Sequence, residues 1–264
     1  MKSILSLFAI LMMALLPLQA ADLTARQIME RVDDRDDGDN GISDMVMTLI
    51  DKKGNKRARK IRSYIKDKGE DKQRIMFFMA PADVKDTGFL TYDYDDYSKD
   101  DDQWLYLPAL GKSKRIASSD KSGSFMGSDF NYSDMTSRNL DAYDFRILDE
   151  KEVRGAKTWV IEAIPKTEEE IDETGYSKSV LFVRQDNYMV VRAVLWVNEG
   201  GRIKYMDSPK IELIDGIWFA TKQTMTTKKN RRTVHKTELN FYNIKFNQPL
   251  DQSMFSLRRL EKGL

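Results

Sequence analysis

The chain has 264 residues, with 43 Lys and Arg against 42 Asp and Glu, one histidine and no cysteine. The near-zero balance argues against a general nucleic-acid binder, which carries a basic excess. The missing cysteine excludes disulfides and every Cys-based catalytic or metal arrangement, so a core and ladder hydrogen bonds must hold the fold alone. A chain this long can bury a large core as a single β domain.

Residues 1–20 read as a signal peptide. Lys2 supplies a positive start, Ile4 to Leu16 is an apolar run, and Leu18-Gln19-Ala20 ends in a small residue suited to cleavage. A run of about 13 residues is short for a membrane span, which needs roughly 20; an uncleaved anchor is the alternative. No cysteine follows for lipid attachment, and no later stretch has spanning length. Residues 21–264 then form one domain. Leu23 to Arg31 is expected as a short helix, with Thr24 and Gln27 as a capping box and Ile28, with Leu23 or Val32, as an apolar stripe. The acidic run Asp33 to Gly41 fails the EF-hand register. With Gly38 in sixth position the third is Arg35 and the twelfth is Asp44, so a solvated loop is expected.

From Ser43 onward, period-2 patterns dominate. Met45, Met47 and Leu49 share one face, and Asp51 to Asn55 turns the chain into a return strand, Lys56 to Lys66. Gln73 to Met79 is apolar on both faces, with Ile75, Phe77 and Met79 against Met76 and Phe78, and so needs cover on two sides. Gly88 to Tyr94 is the next strand, and the carboxylate-rich Asp93 to Asp102 suits an exposed hairpin tip. Further strands are expected over Tyr143–Asp149, Thr158–Ile164, Tyr176–Arg184, Tyr188–Val197, Arg202–Met206, Ile211–Leu213, Ile217–Thr227 and Thr233–Phe246. Thr167 to Gly175 reads as a charged loop, and Asp251 caps a turn around Met254 and Phe255. Hairpins this dense, with two or three short helices, predict a mainly β (α+β) fold: one curved antiparallel sheet of roughly ten strands.

The stretch Trp104 to Met135 departs from this regularity. A strand from Trp104 to Leu107 is stopped by Pro108, and Gly111 turns into the basic run Lys112, Lys114 and Arg115. A Ser- and Gly-rich loop follows, yet it carries Phe125, Met126, Phe130, Tyr132 and Met135, more large apolar side chains than a solvated loop exposes. They are covered either by the sheet or by a ligand. WLYLPALGKSKRI followed by SFMGSDFNYSDM, with GYSKSVLFV further on, resembles the signature of the periplasmic outer-membrane lipoprotein-sorting proteins, relatives of LolA and LolB. The resemblance implies an incomplete, half β-barrel with short helices and a loop lid, and an apolar cavity for acyl chains. It also implies a lipid or acylated lipoprotein as cargo and an inner-membrane transporter of the resistance-nodulation-division (RND) type as handover partner.

Catalytic constellations are missing from the sequence. His235 lies in a strand among Arg231, Arg232 and Lys236, and Glu238 alone does not make it a catalytic base, so it reads as incidental. The loop serines lack a G-x-S-x-G elbow, there is no phosphate-binding glycine loop, and no metal site or cofactor is indicated. The apolar supply is the stronger signal: fourteen methionines, flexible and polarisable, suit a cavity that accepts variable shapes, although each alone is compatible with core filling. The candidate lipid-binding residues are Phe77, Met79, Trp104 and Tyr106, with Phe125, Met126 and Phe130 as lid. Lys112, Lys114 and Arg115 are candidates for transient contact with a membrane surface, head groups or a partner; the alternative is a solvated hairpin. The expected role is a non-enzymatic periplasmic carrier. The alternative is an envelope scaffold or accessory subunit that holds a peptide segment by strand addition.

Overall fold

The computed structural model describes residues 22–264; the proposed leader, residues 1–20, lies outside them. Helix α1 (Ala25–Asp33) starts as its capping box dictates: the Thr24 side chain accepts from Gln27 N, and the Gln27 side chain accepts from Thr24 N. Six strands follow: β1 (Asn40–Asp51), β2 (Lys56–Lys68), β3 (Asp71–Ala80), β4 (Gly88–Asp93), β5 (Asp102–Leu107) and β6 (Lys112–Arg115). After a long irregular segment come β7 (Tyr143–Val153), β8 (Ala156–Pro165), helix α2 (Glu168–Thr174), β9 (Tyr176–Arg184) and β10 (Val190–Val197). The chain closes with β11 (Arg202–Ile214), β12 (Ile217–Lys229), β13 (Arg232–Phe246) and helix α3 (Leu257–Lys262).

All thirteen strands form one antiparallel, curved and unclosed sheet in the order β6-β5-β4-β3-β2-β1-β13-β12-β11-β10-β9-β8-β7. Chain neighbours pair as hairpins, and β1 joins the two halves through β13, with Met45 opposite Phe241 and Met47 opposite Leu239. β6 and β7 lie at the opposite edges, so the segment 116–142 must cross the whole width of the sheet. This strap passes over the inner face.

The sheet has more strands than the roughly ten expected, and several segments differ in detail for local reasons. The basic run Lys112–Arg115 is a strand, paired with β5 from Leu107 to Trp104. Arg202–Met206 and Ile211–Leu213 are parts of one strand, β11, because register shifts between Asp207 and Ile211 absorb Pro209 as a bulge. Thr167 to Gly175 is a helix rather than a loop. The Thr167 side chain accepts from Glu170 N, three glutamates in the first turn complement the helix dipole, and Gly175 closes it in the left-handed conformation. Its charges favour a capped, solvated helix as readily as a loop. α3 continues the chain beyond the turn expected around Met254 and Phe255; the Ser256 side chain caps it by accepting from Arg259 N.

The main core fills the inner face: Met45, Met47 and Leu49 of β1, Met76 and Phe78 of β3, Ile161, Leu181, Leu195 and Met225 from the far half, Ile28 and Met29 of α1, and Phe125 of the strap. A second core lies on the outer face of β3 and β4, where Ile75, Phe77 and Leu90 pack against Phe255 and Leu260. Strand β3 thus has the two-sided cover that its continuous apolar sequence demands.

Candidate functional site

Two kinds of side chain hold the strap to the inner face. Phe125 is 1% exposed and stacks edge-on with Phe89 at 5.0 Å and Tyr132 at 5.6 Å between ring centroids. Polar anchors flank it. The buried carboxylate of Asp129 accepts from Thr227 Oγ1 (2.5 Å) and Thr237 Oγ1 (2.6 Å) and lies 2.7 Å from His235 Nδ1. Its own backbone N–H donates to Thr237 Oγ1 at 2.9 Å. Lys204 Nζ donates to Asn131 Oδ1 at 2.7 Å, and Asp134 Oδ2 accepts from Asn131 N (2.7 Å) and Tyr176 OH (2.9 Å). Burial pushes the Asp134 carboxyl and the Tyr176 phenol up and the Lys204 ammonium down; Asp134 and Asp129 partly offset the shift at Lys204. The strap is a fastened segment whose polar residues are satisfied by the sheet beneath it.

Between the strap and the middle strands lies a cavity of about 350 Å³. Met45, Met47, Met76, Leu239, Phe219 and Phe241 of the sheet face Phe125, Phe130 and Met135 of the strap across it. Arg35, Arg74 and Asp134 bring charge to its lining. Two larger clefts, of about 500 and 470 Å³, lie at the margins of the strap and are lined mainly by hydroxyl, amide and charged groups. The methionine-rich cavity is the one chemically suited to an alkyl chain.

The fold has known relatives. A family model described only as an uncharacterized protein matches residues 70–262. A crystal structure from Vibrio parahaemolyticus, named for an outer membrane lipoprotein-sorting protein domain, is 30% identical, with a TM-score of 0.80; the alignment covers 90% of this chain and 98% of that one. The chain belongs to the outer membrane lipoprotein-sorting protein family. A DUF1329 family protein from Desulfovibrio piger is 29% identical over 89% of this chain and 97% of that one, again with a TM-score of 0.80. A LolA superfamily protein from Nitrosomonas europaea shares the fold at 17% identity and a TM-score of 0.65, over 89% and 98% of the two chains. No curated protein sequence matches. Among the described residues no helix is long and apolar enough to cross a membrane.

Within this family fold, the structure divides the residues that the sequence grouped as a lipid site. Phe125 and Phe130 line the cavity, and Met126 packs at the margin of the same core. Phe77, Trp104 and Tyr106 do not join them. They lie on the outer face, in the core covered by α3, with Tyr92 and Trp104 edge-on at 5.1 Å. Met79 is 40% exposed. The division follows from pleating: Met76 and Phe89 pair on the inner face, so Phe77 and Trp104, one residue out of phase, point the other way. Phe125 is also no loose lid residue, since its ring is enclosed on three sides by aromatic neighbours.

The basic run divides too. Arg115 Nε donates to Asp102 Oδ1 at 2.7 Å, and Ser113 ties β6 to Glu261 of α3, while Lys112 and Lys114 are exposed. A larger basic group sits at the tips of two hairpins that pairing of Asp51 with His235 brings to one end of the sheet. It comprises Lys52, Lys53, Lys56 and Arg57 with Lys229, Arg231 and Arg232, all exposed.

The sequence gives no site signal at Asp129, Arg35 or Arg74, and His235 reads in it as incidental. Glu238, the nearby carboxylate in sequence, faces the other side of β13 and pairs with Lys236 at 2.6 Å; the carboxylate that His235 meets is that of Asp129, more than a hundred residues away. The available signal was the polar alternation His235, Thr237 in a strand otherwise patterned to bury that face.

Proposed function

We propose that this protein is a periplasmic carrier that holds acyl chains of a lipid or lipoprotein non-covalently beneath the strap and moves them between the inner and outer membranes. The observation that carries the reading is the methionine- and phenylalanine-lined cavity of about 350 Å³ between strap and sheet, in a fold shared with a domain named for lipoprotein sorting. Each buried methylene contributes roughly 0.8 kcal/mol, so an alkyl chain supplies affinity without a specific reactive group. Residues 1–20 serve as the export signal. An inner-membrane transporter of the RND type hands over the cargo. Transient contact with anionic membrane surfaces falls to the basic hairpin tips at Lys52–Arg57 and Lys229–Arg232, with Lys112 and Lys114 secondary, because these charges are exposed and grouped at one end.

Native mass spectrometry and lipid extraction of the protein purified from its own envelope test this directly. A stoichiometric acyl species is expected. Protein that is lipid-free as isolated and takes up no fluorescent fatty acid overturns the carrier reading and leaves the scaffold alternative, a peptide added to an edge strand.

A further inference from the structure

The carrier reading leaves the polar end of the cargo undefined, and two arginines on the cavity wall bear on it. Arg74 projects from β3 on the inner face and spends one hydrogen bond, from Nη1 to the Met135 carbonyl at 3.1 Å. Arg35, in the loop after α1, donates from Nη1 to the carbonyls of Trp218 (2.9 Å) and Asp36 (3.0 Å). Both are partly buried, and neither forms an ion pair with any carboxylate among the described residues. Lys72 shows what pairing looks like nearby: two residues before Arg74, it reaches Asp37 Oδ2 at 2.7 Å. Burial pulls both guanidinium groups below their ordinary range; Asp37 and Asp36 partly offset this at Arg35, and Asp93 and Asp37 at Arg74, in each case from beyond ion-pair distance.

A guanidinium carries five donors in a planar fork matched to carboxylate and phosphate. Here most of those donors are unspent, beside an apolar lining. A partly desolvated cation without a counter-charge is costly, and an anionic ligand removes that cost. Asp134 lines the same cavity but is engaged by Asn131 N and Tyr176 OH and faces Lys204. Thr91, the register partner of Arg74 and therefore on the same face, is 1% exposed and its hydroxyl has no partner among the described residues. Polar capacity is therefore left over at Arg35 and Arg74 on the cavity wall, with Thr91 beside Arg74 on the neighbouring strand. The volume, near the lower end of the ~300–1,000 Å³ usual for ligand sites, suits one tail rather than several.

We propose that the cavity takes a single-chain anionic amphiphile, with its carboxylate or phosphate head at Arg74 and Arg35 and its tail among Met45, Met47, Met76 and Phe241. The inference rests on the carrier reading, and the test separates the two. Delipidated mature protein is titrated with palmitate, with palmitoyl lysophosphatidate and with neutral hexadecanol, by displacement of a fluorescent alkyl probe; inorganic phosphate is added as a competitor. Both anionic amphiphiles are expected to bind about tenfold or more tighter than hexadecanol, the scale of one charge-assisted contact. Inorganic phosphate at millimolar concentration is expected to displace neither. Arg74→Gln and Arg35→Gln should each lower palmitate affinity by more than they change hexadecanol affinity, which narrows the difference between the two ligands. Equal affinity for palmitate and hexadecanol in the unmodified protein overturns the head-group assignment while the carrier reading stands. Binding of none of the three overturns the carrier reading. Displacement of palmitate by free phosphate assigns the arginines to a soluble anion and overturns the amphiphile. The comparison within the unmodified protein decides the matter even where a variant fails to fold.

Discussion

Strands β3, β4 and β5 are covered on both faces, and the two covers are built differently. On the outer face, α3 and the turn before it close an apolar contact: Leu260 and Phe255 pack on Ile75, Phe77 and Leu90, and Gly88 lets the helix approach so closely that a Cβ there would come 2.6 Å from Leu260 Cδ1. On the inner face, the strap is fastened largely by directional bonds to buried polar groups, Asp129 and Asn131 above all, with Phe125 as its apolar plug. Apolar contact gains stability only by excluding space, so the outer core is filled. Polar anchors fix the strap at points and tolerate a gap between them, and the cavity lies in that gap.

The largest effect should come from the anchor itself. Asp129→Ala strips Thr227, Thr237 and His235 of their shared acceptor and is expected to cost about 3–5 kcal/mol in urea unfolding. Amide exchange should then accelerate through residues 116–142 ahead of the outer core. Uniform loss of protection across both faces would break the distinction drawn between them.

Next in size is a matched pair of core truncations. Phe125→Ala and Leu260→Ala should each destabilise the protein by about 2–5 kcal/mol, because both side chains are fully enclosed. Only the strap variant should speed release of a bound alkyl probe. If Leu260→Ala changes release as much, the outer core is coupled to the cavity and the comparison fails. Met126→Ser, at the margin of the strap, should change stability by less than about 1 kcal/mol.

A smaller effect concerns pH. Burial, and then the charge of Asp93, push the Asp101 carboxyl up to about 6, outweighing the hydrogen bonds from Tyr94 N and Thr136. Its ordinary value is near 3.9. A carboxyl raised by folding favours the protonated native state, so stability falls as pH rises from about 4 through 6 and stays lower above that. Asp101→Asn should therefore raise stability at pH 7 by on the order of 1–2 kcal/mol and change little at pH 4, as chemical unfolding at the two pH values would reveal. A gain of equal size at both would rule out ionisation as the cause.

Least perturbing to the fold should be reversal of Lys229, Arg231 and Arg232 to glutamate. Stability is expected to move by under about 0.5 kcal/mol, while sedimentation with anionic vesicles weakens, and weakens less as salt screens the charges over about 8–10 Å. Reversal of Lys112 and Lys114 should have the smaller effect on vesicle binding. The opposite order would return the membrane contact to β6.

The sequence by itself determined what depends on near neighbours. The capping box at Thr24 and Gln27, the turn at Asp51 to Asn55, the strand stop at Pro108 and the period-2 alternation are properties of a few consecutive residues, and they predict hairpins and one antiparallel sheet. The strings from Trp104 to Met135 carried the family resemblance. Tertiary structure decided what depends on distant pairing. Period 2 says that Met76 and Phe77 face opposite ways but not which of them meets the strap, because both faces of β3 are apolar and α3 arrives from the far end of the chain. In the same way Asp129 and His235 are unremarkable alone; 106 positions apart, they meet only because the strap crosses the sheet from β6 to β7 and passes over β13. Local spacing encodes alternation, whereas the choice of inner face, the strap's anchors and the arginines at the cavity are fixed by which elements the sheet topology brings together.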